Sequence, residues 1–265
     1  MPLNRLWLGG WLAIASLPAL AAERLVALTP DVADIVVALG AAKDVVGRND
    51  ASHQPELAHA APIGLSRTLN AEPVARLKPT LVIGSPMAQP DSIYATLTRM
   101  AIPARKIGMR EDGADYAQSI ARIGELIGKP REAAALAQTW RQGMTPGVAT
   151  GKRYLLSYDG RFVAGRNTAA DTLIRAAGGI NAAAELDGFK PLGKEGWAAL
   201  RPDVIVLAEH NAAVFGGAAA FAKRPEIAAS PAAKSGRIAS WPAESFLRMG
   251  LASPQTVARL RSLAQ

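Results

Sequence analysis

The stretch "LNAEPVARLKPTLVIG", Leu69 to Gly84, sets an acidic helix start against a short apolar run, and the chain contains it twice. The second copy is "LGKEGWAALRPDVIVLA", Leu192 to Ala208. At one constant offset, Leu69, Glu72, Ala75, Leu77, Lys78 and Pro79 fall on Leu192, Glu195, Ala198, Leu200, Arg201 and Pro202. Each copy closes its helix with a basic residue and a proline, then enters the pattern of a strand buried on both faces. A chain that builds the same helix–strand unit in each half is expected to fold as two like α/β lobes.

Outward from the first copy, short apolar runs alternate with amphipathic segments. "RLVAL" (Arg24–Leu28) reads as a strand, and so do "DVVG" (Asp44–Gly47) and "ARKIG" (Ala104–Gly108). "PDVADIVVALG" reads as a helix that starts at Pro30 and Asp31 and turns Val32, Ile35, Val36 and Leu39 to one face. "DSIYATLTRM" (Asp91–Met100) is a further helix. Such alternation predicts a mainly parallel sheet covered on both faces.

A strand-free stretch follows. "DYAQSIARIGELIG" carries Ile120, Ile123, Leu126 and Ile127 on one face, and "KPREAAALAQTWRQG" runs from a Pro130 start to a Gly143 stop. After the loop "GMTPGVATGK" the alternation resumes with "RYLLSY", "TAADTLIRAAGG", the Glu195 unit, a helix near Ala218, "RIASW" and a last helix from Ser253. The expected fold is α/β, with two Rossmann-like lobes of mainly parallel sheet at residues 23–111 and 151–265 and a helical connector at 112–150. Taken as one helix, Lys129–Gly143 would span ~22 Å. A stiff connector of that kind predicts small closure of the lobes around a ligand cleft, placed at the carboxyl ends of the strands.

The chain has 265 residues, of which 49% are hydrophobic and 20% charged, and so can form a sizeable core. Its formal charge of +8 is scattered, with no basic stripe interleaved with aromatics, so nucleic acid is not an expected partner. A positive surface suits anionic ligands or a membrane face. Residues 1–22 carry Arg5, an apolar run, and the small-residue pattern Ala19-Leu20-Ala21, the three parts of a cleaved secretory signal peptide. The absence of cysteine excludes disulfides, thiolate metal sites and a lipid-anchored cysteine. A soluble, monomeric periplasmic protein is expected.

Catalytic patterns are missing. There is no G-x-S-x-G elbow and no H-E-x-x-H helix. "GFKPLGKE" spaces Gly188, Gly193 and Lys194 like a phosphate loop, but Glu195 stands where Ser or Thr would hold magnesium. His53, His59 and His210 are too dispersed in sequence to form a metal site alone. The chain therefore reads as a binder rather than an enzyme, with no catalytic cofactor; a periplasmic hydrolase is the weaker alternative. Residues placed for a cleft are Tyr158 and His210 after strands of the second half, and His53 beside Arg48. Ser66 and Arg67 precede the first repeat, and Met87 follows its strand. Phenolate, imidazole and thioether groups ligate iron, and arginine pairs with carboxylates.

Three further stretches, "RLVALTPDVADIVVALGAAKDVVGRND", "VAGRNTAADTLIRAAGGINAA" and "FKPLGKEGWAALRPDVIVL", complete a resemblance that covers essentially the whole mature chain. The sequence resembles the substrate-binding proteins of iron-chelate ABC importers, most closely the haem-binding branch, with cobalamin-binding relatives sharing the architecture. The resemblance implies two lobes joined by a rigid helix and a ligand between them. It also implies a glutamate on each lobe that docks onto arginines of a permease dimer in the inner membrane. That role falls on Glu72 and Glu195, whose alternative role is to favour the dipole of their own helices. Haem-binding relatives carry a G-Y-x-R loop before the first repeat; here it reads Gly64-Leu65-Ser66-Arg67. Where relatives have G-P-R near the C-terminus, this chain has Ala252. The implied ligand is haem; Leu65 stands in the place of the relatives' iron-ligating tyrosine, so the iron would fall to Tyr158, or to His53 or His210. The alternative is a corrinoid, or a ferric siderophore held by Arg48, Arg67, Arg161 and Arg248.

Overall fold

The computed structural model describes residues 23–265. The signal-peptide reading of residues 1–22 lies outside them. The first sheet contains β1 (Leu25–Ala27), β2 (Val45–Arg48), β3 (Ala61–Pro62), β4 (Leu81–Gly84) and β5 (Ala104–Lys106), in the order β3-β2-β1-β4-β5. All its pairings are parallel, as the alternation predicts. The second contains β6 (Arg153–Ser157), β7 (Phe162–Ala164), β8 (Ile180–Asn181), β9 (Phe189–Pro191), β10 (Val204–Ala208) and β11 (Ile238–Trp241). Its path is β11-β10-β6-β7-β9, with β8 beside β6. Here β6, β8, β10 and β11 pair in parallel, whereas β7 runs antiparallel to β6 and β9. This antiparallel flap is not visible in the sequence, because three-residue strands are too short to show a period.

Burial explains the continuous apolar runs. Along β1, β4, β6 and β10, alternate residues enter different cores: Leu25, Leu81, Ile83, Tyr154, Leu156, Val204 and Val206 go to one, while Val26 and Val82, or Leu155 and Ile205, go to another. The first of these cores is shared by both sheets. It is filled by a layer of helices that pack in succession: Pro30–Ala38 on Tyr116–Leu126, then Pro130–Gly143, Ser253–Leu263 and Ala169–Ala176. Val32, Ile35, Val36 and Leu39 are all buried on the face their spacing predicts.

The connector is a helical hairpin. Pro130–Gly143 has 14 residues, about 21 Å at the usual rise, and starts at the predicted proline. It lies against Tyr116–Leu126 instead of standing alone between the lobes. Gly128, in the left-handed region at φ 69°, ends the first helix and lets the chain reverse.

Candidate ligand cleft and docking surface

A cavity of about 340 Å³ opens between the two sheets. Asp31, Ser85, Met87, Met109 and Arg110 line it from the first sheet's side, and Tyr116 from the connector. The second sheet's side contributes Thr168, Phe189, Leu247, Arg248 and Met249. Strand ends supply part of it: Ser85 directly follows β4, and Phe189 opens β9. Next to it, sharing Phe189 and Leu247, lies an apolar recess of about 260 Å³ walled by Tyr158 and Phe162. Apolar and aromatic side chains interleaved with the charged groups Asp31, Arg110, Glu111, Asp115 and Arg248 make the cavity a candidate small-molecule site.

Tyr158 directly follows β6 and is 41% exposed, so its phenol is available to a ligand. Its carbonyl accepts a hydrogen bond from Asn211 Nδ2 at 2.9 Å, and its ring meets that of His210 edge-on at 5.5 Å between centroids. The structure thus brings together two residues that the sequence placed separately at strand ends. Met87 is exposed at the cleft, where its sulfur accepts from Nη1 of Arg248 at 3.8 Å across the two sides.

The remaining candidates stand elsewhere. Arg48 donates to the carbonyls of Leu57, Asn49 and Ser52, shaping the loop that carries His53. His53 is exposed on that loop and does not line the cavity. Ser66 is buried and, with exposed Arg67, forms a short 3-10 turn whose carbonyl at Ser66 accepts from Gln89 at 2.6 Å. Leu65, just before that turn, is 54% exposed. Arg161 stacks near Phe162 and lines a separate pocket beside the Glu195 helix.

Two groups escaped the sequence reading: Tyr116, which lines the cavity, and Asp34, which lies within electrostatic reach of it. Tyr116 is 1% exposed, and its phenolic oxygen has no hydrogen-bond partner among the described residues. Burial, reinforced by Asp31 and Asp34, pushes that phenol well above its ordinary range. Burial likewise raises the Asp34 carboxyl, opposed by a hydrogen bond from Gln54 and by the charge of Arg248. Tyr116 stands one helical turn before Ile120 on the face already predicted to be apolar. Spacing could therefore have placed it in the core, but not revealed its free oxygen.

Glu72 and Glu195 sit in the first turns of the helices Ala71–Arg76 and Lys194–Leu200, both exposed. The inner faces of these helices are pinned by Val74 and Trp197, and the Trp197 indole donates to the Gly160 carbonyl at 3.1 Å. Asn70 caps the first helix by accepting from the Glu72 amide at 3.0 Å, so the glutamate side chain is not needed as a cap. Its carboxylate pairs with Arg76, whereas Ala199 holds the matching place in the second copy.

Among the described residues no three His, Asp or Glu side chains converge to hold a metal ion, and no helix is long and apolar enough to cross a membrane. Two sheets bridged by packed helices, with an open cavity between them, define a two-lobed binding protein. The chain belongs to the periplasmic binding protein family, whose model matches residues 25–245. It is similar in structure to the periplasmic heme-binding protein RhuT from Roseiflexus sp. RS-1, at 31% identity and a TM-score of 0.78, covering 92% of this chain and 100% of that one. The heme-binding protein BhuT in complex with two hemes matches at 28% identity and a TM-score of 0.80, covering 92% of this chain and 98% of BhuT. The periplasmic heme-binding protein HutB of Vibrio cholerae matches at 26% and 0.78, covering 92% and 99%. No curated protein matches the sequence.

Proposed function

We propose that this protein captures haem in the periplasm and delivers it to an ABC importer of the inner membrane, acting as a binder and not as an enzyme. The observation that carries the reading is the wall formed by Tyr158, Phe162, Phe189 and Leu247, which sets an exposed phenol on an apolar surface beside the cavity. A flat, largely apolar macrocycle buries its faces against such a wall, and a phenolate is a haem-iron ligand. His210, edge-on to the phenol, is placed to orient it or to replace it. Kinship with haem-binding relatives across 92% of the chain supports the same ligand in preference to a siderophore or corrinoid. Export through cleavage of the first 22 residues, a monomeric state, and lobes at 23–111 and 151–265 around the 112–150 connector belong to the same proposal.

The glutamates complete the reading. A two-fold permease offers two like basic sites, and the protein presents one exposed carboxylate on each side at matched positions of a repeated unit. The test of the ligand is an absorbance titration of the mature protein with hemin, in parallel with Tyr158→Ala. A saturable, shifted Soret band in the parent that weakens or disappears in the variant is expected. Saturation kept in the variant would move the iron to another side chain. No saturation in the parent would mean that Leu65 and Ala252 mark a change of ligand.

A further inference from the structure

The duplicated unit extends beyond the helix and strand that reveal it. Arg24 directly precedes β1, and Arg153 opens β6; these strands hold matching places, β1 beside β4 and β6 beside β10. Nε and Nη2 of Arg24 donate to the Leu77 carbonyl at 3.2 and 2.7 Å, and Nε also to that of Lys78 at 3.1 Å. Nε of Arg153 donates to the Leu200 carbonyl at 3.2 Å. Leu77 and Leu200 are equivalent residues of the repeat.

The backbones are tied at the same place. The Arg24 amide donates to Thr80 Oγ1 at 2.9 Å, and the Arg153 amide to Asp203 Oδ2 at 2.8 Å. In return the Thr80 amide donates to the Arg24 carbonyl at 3.0 Å, and the Asp203 amide to the Arg153 carbonyl at 2.7 Å. Thr80 and Asp203 are again equivalent positions.

The need for such a device lies in how the helices end. Each runs into a non-glycine residue in the left-handed region, Lys78 at φ 48° and Arg201 at φ 41°, directly before a proline. The last carbonyls of a helix have no partners within it, and helices of six and seven residues do not hold themselves. The guanidinium takes up a carbonyl at that end, Leu77 for Arg24 and Leu200 for Arg153, and ties the helix end to the head of its sheet. The glutamate stands in the first turn of the same helix, at the opposite end.

We propose that Arg24 and Arg153 are positioning residues for permease docking, fixing the aim and separation of Glu72 and Glu195 by clamping Leu77 and Leu200. The inference rests on the docking reading of the two glutamates. It is tested with the hemin-loaded mature protein, by measuring the concentration that half-maximally stimulates ATP hydrolysis by the reconstituted permease. Arg153→Ala is expected to raise that concentration about fivefold, as the loss of a hydrogen-bonded clamp implies, with hemin titration unchanged. In the Glu195→Ala background it should add nothing, because the arginine acts through the glutamate.

Stimulation unaffected by Glu195→Ala would remove the docking reading itself. A Glu195→Ala defect with a wild-type value for Arg153→Ala would overturn the clamp alone, and so would an Arg153→Ala loss undiminished in the Glu195→Ala background. If circular dichroism shows Arg153→Ala unfolded, Arg153→Lys takes its place. Lysine keeps the charge but loses the planar fork, so an intermediate rise is expected and a wild-type value would overturn the clamp. Arg24→Ala with Glu72→Ala repeats the comparison on the other side.

Discussion

Replacing Glu72 and Glu195 together by alanine is expected to abolish permease-dependent uptake while leaving the hemin titration unchanged. Close charge pairs at protein interfaces couple by ~1.5 kcal/mol or more, so losing two such contacts weakens docking by at least about a hundredfold. The single variants should differ. Glu72 is engaged by Arg76 and must exchange that partner, while Ala199 leaves Glu195 no counterpart on its own helix. An exposed pair one helical turn apart is worth only ~0.3–0.5 kcal/mol, so Glu195→Ala should be the more damaging variant by a small factor. Uptake by the double variant at the parent rate, measured with hemin-loaded protein, would remove both glutamates from the docking surface.

Gly124→Leu is expected to lower the thermal midpoint by about 10 °C, corresponding to ~3 kcal/mol of lost stability. Gly124 is buried where Tyr116–Leu126 meets Pro130–Gly143. A Cβ there would come 2.1 Å from the Ala133 Cβ and 2.9 Å from the Lys129 carbonyl oxygen. Both neighbours belong to the facing arm of the hairpin or its turn, and Ala133 is fully buried, so neither can step aside. The helices must part, and the shared core opens with them. Gly108→Ala is the control, since a Cβ at that position meets nothing within 4 Å. Melting followed by circular dichroism would settle the point: equal midpoints for the two variants would contradict the close packing of the hairpin.

The repeat made the architecture legible because its signals are local. A buried strand, an acidic helix start and a basic residue before proline can each be read within a few positions, and the structure returns β4 and β10 with their helices in matching places. The connector was half legible. Gly128 and Pro130 mark a stop and a start, but only three-dimensional packing shows that the second helix folds back on the first. Strands β7 and β9 were hidden by their length, and β9 ends on a proline. Of the cleft, Tyr158, His210, Met87 and Arg248 were reachable from strand ends and residue chemistry. Tyr116 was not, because the same spacing serves an ordinary core face, and what distinguishes it is a buried phenolic oxygen with no partner among the described residues. The Arg24 and Arg153 clamps join residues far apart in sequence, and neither arginine carries a local motif.

The core shared by both sheets has a consequence for traffic at the membrane. Opening and closing the lobes would require separating close-packed side chains such as Leu156, Ile123 and Val36, which belong to one uninterrupted cluster. Filled and empty molecules should therefore offer almost the same distance between Glu72 and Glu195. An importer that recognises its courier by that distance admits the empty one nearly as readily. On the docking reading, unloaded molecules would then act as competitive inhibitors, and the flux of cargo would follow the loaded fraction of the pool rather than the amount of loaded protein alone.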